Sequence, residues 1–144
     1  MSEFRETRLS KAKSLLNRGL NPYAETFDIS HNSKFLIDKY DYLENGQEVD
    51  LNISIAGRVL ARRIMGKIAF FSISDQEGDI QLYLEKQIID KNADHSLKHL
   101  SFNDLKELVD IGDWIGVKGT LKKTNKGELS IKNLLLWVIS KDSA

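Results

Sequence analysis

The chain has 144 residues, with 21 Lys and Arg balancing 21 Asp and Glu, and no cysteine. Its length suits one domain with a small appendage, around a core that needs no covalent staples. Disulfides, thiolate metal sites and cysteine nucleophiles are excluded, and zero net charge argues against indiscriminate polyanion binding while leaving room for a local basic site.

The N-terminal MSEFRETRLSKAKSLLNRG is too charged for a signal peptide, and no apolar run approaches membrane-spanning length. A soluble, cytoplasmic protein without a membrane partner is therefore expected. The first element reads as a helix from about Glu3 to Arg18, with Leu9, Ala12, Leu15 and Leu16 on one stripe and Gly19 and Pro22 as stop signals. A second, short helix follows from about Ser33 to Leu43, with Leu36, Ile37, Tyr40 and Leu43 on one side and Asn45-Gly46 ending it. Residues 1–46 thus form a helical appendage, and 47–144 form the main domain.

Five strands are expected near Glu48–Ala61, Ile68–Asp75, Asp79–Glu85, Trp114–Lys122 and Glu128–Ile139. A polar stretch, Gln87 to Leu100, and a helix from about Phe102 to Asp110 with Ser101 as its N-cap separate the third strand from the fourth. Three strands, a helix and two strands is the order of a five-stranded OB-fold barrel, here preceded by N-terminal helices: a mainly β fold. Leu60 to Lys67 is the expected loop between strands one and two, and Thr124-Asn125-Lys126-Gly127 the hairpin between four and five. These loops and strands two and three border the usual oligonucleotide site of such a barrel.

Strand phase assigns the faces. Val49, Leu51, Ile53, Ile55 and Val59 alternate with polar residues, Phe71 and Ile73 share the core face, and Ile80, Leu82 and Leu84 follow. Phe70, Ser72 and Ser74 therefore point outward, as do Asp79, Gln81 and Tyr83. In the last two strands Ile115, Val117, Leu121, Leu129 and Ile131 go inward; Lys118, Thr120, Lys122, Glu128, Ser130 and Lys132 go outward. An outward ring beside an amide and arginines suits an unpaired nucleobase, which needs a stacking surface and edge hydrogen bonds. Periodicity also allows a second reading, in which a neighbouring helix partly buries both rings.

Two basic clusters flank this face. Gly57–Lys67 holds Arg58, Arg62, Arg63 and Lys67 with no acid, and Lys118–Lys132 holds Lys118, Lys122, Lys123, Lys126 and Lys132 against Glu128 alone. Taken singly, such runs are also what solvated strand ends look like. No nucleophile-base pair, phosphate-cradling glycine loop or supported acid pair appears, so no catalytic residue is assigned. His95 and His99 are four apart but lack an adjacent Glu and a third ligand, so no metal site is assigned either. The chain reads as a binding module.

Three segments carry a family resemblance: RGLNPY at Arg18–Tyr23, AGRVLARRIMGKIAFFSISDQEGDIQLYLEK at Ala56–Lys86, and DIGDWIGVKGTLKKTNKGELSI at Asp110–Ile131. Together they resemble the N-terminal anticodon-binding domain of bacterial-type class II lysyl-tRNA synthetases, with GLNPY, RRIMGK and TNKGELS favouring the lysyl over the aspartyl and asparaginyl enzymes. The resemblance implies that Phe70 stacks on the central anticodon uridine and that Gln81, Glu128 and Arg63 bond its edge. The flanking Arg58, Arg62, Lys67, Lys118, Lys122, Lys123, Lys126 and Lys132 are then expected on the RNA backbone. It further implies the tRNA(Lys) anticodon stem-loop as partner. For the full-length enzyme it implies homodimerisation, ATP and Mg2+, with no cofactor in this chain. The family continues into a catalytic domain that this sequence lacks, so a non-catalytic fragment of a ligase is expected, ahead of a free-standing tRNA-binding domain. A generic single-strand-binding module and a purely structural or dimerisation domain are the rival readings.

Overall fold

A computed structural model describes residues 29–142, so the helix expected over residues 3–18 lies outside the described residues. Helix α1 spans Ser33–Tyr40, one turn shorter than expected, and begins where the Asn32 side chain accepts from the Phe35 amide at 2.8 Å. Five strands follow: β1 Glu48–Met65, β2 Ile68–Ser74, β3 Asp79–Glu85, β4 Trp114–Lys123 and β5 Leu129–Ser140. Between β3 and β4 lie α2 (Lys86–Asn92), a single 3-10 turn (His95–Leu97) and α3 (Phe102–Leu108). The side chain of Ser101 caps α3 by accepting from the Asp104 amide at 3.1 Å, as its position before an apolar turn predicts.

The strands close into a barrel in the order β1-β2-β3-β5-β4. All neighbours are antiparallel except β3 and β5, whose parallel pairing of Gln81 with Ser130 and Tyr83 with Lys132 seals the sheet. Closure removes the unpaired edges that an open five-stranded sheet would present to other chains. The alternation read from the sequence fills the interior: Ile53, Ile55, Val59, Phe71, Ile73, Leu82, Leu84, Val117, Leu121 and Ile131 are buried. Leu36 of α1, Ile89 of α2, and Phe102 and Leu105 of α3 complete the same cluster. Helix α1 is also tied to the barrel by polar contacts, since Asp75 accepts from the Ser33 amide at 2.6 Å and from its hydroxyl at 2.7 Å.

One local expectation is corrected, and two features go beyond the sequence reading. Leu60 to Lys67 is not a loop; β1 runs on to Met65 and turns at Gly66-Lys67, where Gly66 takes a φ of +64° that a side chain resists. Within the polar stretch Gln87 to Leu100, α2 occupies the first part and turns Ile89 into the core. Ser130, although outward, is fully buried beneath Gln81.

One irregularity in β1 matters for the site. The register against β2 slips between Val59 and Ala61, leaving Leu60 as the extra residue of a bulge. Before it Arg58 lies opposite outward Ser74; after it Ala61 and Arg63 lie opposite outward Ser72 and Phe70, while Arg62 lies opposite buried Phe71.

Candidate nucleic-acid interface

Pairing register lays two transverse rows of side chains on the outside of the barrel. Arg63, Phe70, Tyr83 and Lys132 form one row, and Ser72, Gln81, Ser130, Lys122 and Glu48 form the next. Arg63, Phe70, Tyr83, Gln81 and Lys122 of these rows floor a cleft of about 370 Å³, with Thr124, Asn125, Lys126 and Glu128 of the β4–β5 hairpin as one wall and Met65 and Ile68 at the β1–β2 end.

Phe70 is half-buried at the centre of the cleft, while neighbouring Phe71 is buried in the core. Tyr83 packs against Phe70 in a T-shaped pair, with ring centroids 5.6 Å apart and planes at 63°. This T-shaped contact fixes the ring beyond what its own partial burial achieves. The Arg63 guanidinium lies over the Phe70 ring at 5.0 Å, and the Lys122 ammonium over the Tyr83 ring at 4.9 Å. Burial, then neighbouring Glu85, pushes the Tyr83 phenol above its ordinary pKa, so the hydroxyl keeps its proton and can donate.

Gln81 is oriented from below. Its Nε2 donates to Ser130 Oγ at 2.9 Å, and that hydroxyl donates to the Glu128 carbonyl at 3.2 Å. An amide nitrogen carries two hydrogens, so one remains for a ligand. Glu128 is exposed on the last residue of the hairpin, which crossed bonds keep rigid. Its amide donates to Thr124 Oγ1 at 3.1 Å, and the Thr124 amide donates back to the Glu128 carbonyl at 2.9 Å. Gly127, at φ +88°, makes the tight return possible. From outside, Asn45 Nδ2 braces the hairpin by donating to the Asn125 carbonyl at 3.2 Å.

All four side chains expected at a base edge or face, Phe70, Gln81, Glu128 and Arg63, line this one cleft, together with Lys122 and Lys126. Other members of the expected basic set sit elsewhere. Arg62 crosses the Phe71 ring at 5.8 Å and donates to the carbonyls of Lys106 and Val109, closing the C-terminal end of α3. Arg58 is half-buried opposite Ser74 and Trp114. Lys118 borders a separate groove with Asn52, Ser54 and Leu135. Lys123 donates to the Asp41 carbonyl at 2.7 Å, Lys67 is exposed at the β1–β2 turn, and Lys132 bonds Glu48 at 3.0 Å. Tyr83 is the functional candidate that sequence reasoning left out of the site, although its outward phase beside Phe70 was the available signal.

The two histidines make no common site. His99 is buried against Trp137 with ring centroids 6.1 Å apart, and its Nδ1 accepts from the Asp94 amide at 3.1 Å. Among the described residues no three His, Cys, Asp or Glu side chains gather into a metal-binding group, and no helix is long and apolar enough to cross a membrane.

Comparison with known proteins agrees with this geometry. The chain is 71% identical over 132 residues to a "Lysine--tRNA ligase" of Prochlorococcus marinus strain MIT 9515, a match covering 92% of the chain and 26% of that protein. It is 67% identical over 132 residues to the ligase of strain MIT 9312, with the same coverage. Against the ligase of strain MIT 9303 it is 48% identical over 141 residues, covering 98% of the chain and 28% of the relative. The chain thus spans about a quarter of the length of the curated relatives it matches. Residues 53–138, the span from β1 through most of β5, match the tRNA anti-codon family model, described as an OB-fold nucleic acid binding domain, and the chain belongs to that family.

Proposed function

We propose that this chain is the tRNA anticodon-binding domain of a lysine–tRNA ligase and that its cleft reads the central uridine of a U-rich lysine anticodon. The longer enzyme, read as a cytoplasmic class II homodimer, would then attach lysine to tRNA(Lys) with ATP and Mg2+. The 144-residue chain alone binds RNA without catalysing ligation. Activation of lysine is assigned to the part of the longer relatives that this chain does not span.

The observation that carries the reading is the convergence of Phe70, Gln81, Glu128 and Arg63 on one cleft. Uracil presents an N3–H donor between two carbonyl acceptors. The Glu128 carboxylate accepts from N3, while the free hydrogen of Gln81 Nε2 and the Arg63 guanidinium donate to the oxygens. Cytosine presents an acceptor at N3, which an ionised carboxylate leaves unsatisfied and repels, so the site discriminates as well as binds. The guanidinium over the Phe70 ring occupies the stacking face of the free protein. A base that stacks there displaces Arg63, bringing its fork to the base edge.

Phe70→Ala is expected to weaken binding of a U-centred anticodon stem-loop by about 1–3 kcal/mol, the range for loss of one base–aromatic stack. Its effect on folding stability should be smaller than that of Phe71→Ala, which empties a core position at a cost of roughly 3–5 kcal/mol. Isothermal titration and thermal melts of both variants check this. Full binding by Phe70→Ala would remove the stacking platform from the mechanism.

A further inference from the structure

Glu48, the first residue of β1, lies opposite Lys122 of β4 at the end of the second row of outward side chains. Its two carboxylate oxygens serve different cations: Oε1 is 3.0 Å from Lys132 Nζ and Oε2 is 3.4 Å from Lys122 Nζ. The lysine side chains are only 23% and 19% exposed, whereas the carboxylate is 43% exposed, so the anion is the removable member of the trio. The bond from Lys132, ahead of the smaller contribution of Lys122, holds the Glu48 carboxyl below its usual range, so it is ionised at neutral pH. Lys122 also rests on the Tyr83 ring, and Tyr83 in turn meets Phe70. The Lys122 ammonium therefore stands one ring away from the proposed stacking surface, and Lys132 meets it at the shared Glu48 carboxylate.

A phosphodiester offers what this pair already holds: one negative charge shared by two acceptor oxygens on a single atom. Lysine binds phosphate as a point charge and needs no fork geometry to do so. An exposed carboxylate–lysine contact contributes little net free energy, because solvent screens it and ordering the side chains opposes it. Such an anion is readily exchanged for another.

We infer that Glu48 is an intramolecular stand-in for an RNA phosphate, occupying a Lys122–Lys132 phosphodiester subsite that the backbone beside the stacked base takes over on binding. The inference rests on the anticodon reading proposed above. In the free protein Glu48 keeps the two lysines in place and neutralises half of their charge. A polyanion without a base to stack must displace Glu48 with no compensating contact at Phe70, so the subsite rewards phosphate only when a base has docked. Zero net charge and a local phosphate site are then two aspects of one selectivity device.

The test is Glu48→Gln, which removes the charge while retaining shape and an acceptor oxygen. Binding of a U-centred stem-loop, a C-centred stem-loop and inorganic tripolyphosphate would be titrated across a salt series. The expected result is about two- to fivefold tighter binding of all three, the fold equivalent of one exposed ion pair. The salt slope for RNA should steepen by about one unit. Adding Lys132→Met should abolish the gain, which separates competition from a change in folding, and melts of each variant provide the stability control. Unchanged or weaker binding of tripolyphosphate and both loops by Glu48→Gln would overturn the inference and make Glu48 a support for the lysines. Equal affinity of the wild-type chain for both loops, with the tripolyphosphate gain intact, would instead sink the anticodon reading and leave the phosphate subsite standing.

Discussion

In the proposed reading each polar group around Phe70 has a chemically distinct task, and that of Glu128 is the most open to test. As the hydrogen-bond acceptor assigned to N3 of uracil, it is expected to supply discrimination of perhaps 1–3 kcal/mol, by analogy with direct readout of a base edge. Glu128→Gln should narrow the preference for a U-centred over a C-centred stem-loop, because a neutral amide can donate to cytosine N3 as well as accept from uracil. Affinity for the U-centred loop should fall only moderately. Fluorescence titration of both loops measures the ratio, and an unchanged ratio would leave Phe70 as a sequence-tolerant platform. The positions of Phe70, Gln81 and Glu128 were legible in the sequence because a strand alternates with period two, so one buried ring at Phe71 puts its neighbour outside. The engagement of Arg62 with α3 was not, because parity counted along β1 fails across a bulge. A trace of that slip exists in the pattern: Val59 points inward on an odd position, and Ile64, opposite buried Ala69, does so on an even one.

Among the elements, β4 and β5 are held close by glycine where the site needs it. A Cβ at Gly119 would lie 2.2 Å from the Lys132 carbonyl oxygen, a backbone atom that no rotamer change can move aside. Gly119→Ala should therefore force the strands apart beside Lys132 and destabilise the barrel by about 1–3 kcal/mol, the usual cost of overpacking. Urea unfolding checks this, and a variant as stable as the parent would show that the strand pair is slack there. Strand existence and order were legible from alternation and turn residues, while two boundaries were not. The bulge at Leu60 breaks the period-two alternation before Arg62 and Arg63, so β1 appeared to end early. Helix α2 buries Ile89 alone, which is too little periodic signal for seven residues. The β3–β5 pairing that closes the barrel was legible only through the order of elements, since nothing local in either strand encodes a parallel partner.

Across this chain, zero net charge and a cleft that gathers only part of the basic set fit the proposed selective reading better than indiscriminate polyanion binding. The barrel architecture follows from residue periodicity, but the assignment to a lysine anticodon came from motifs; alternation cannot tell one oligonucleotide-binding barrel from another. The most direct test is equilibrium binding of the unmodified chain to a lysine anticodon stem-loop and to the same loop with cytidine at the central position, at matched salt. The U-centred loop should bind more tightly by about 1–3 kcal/mol, roughly five- to 150-fold. Equal affinities for the two loops would contradict the account.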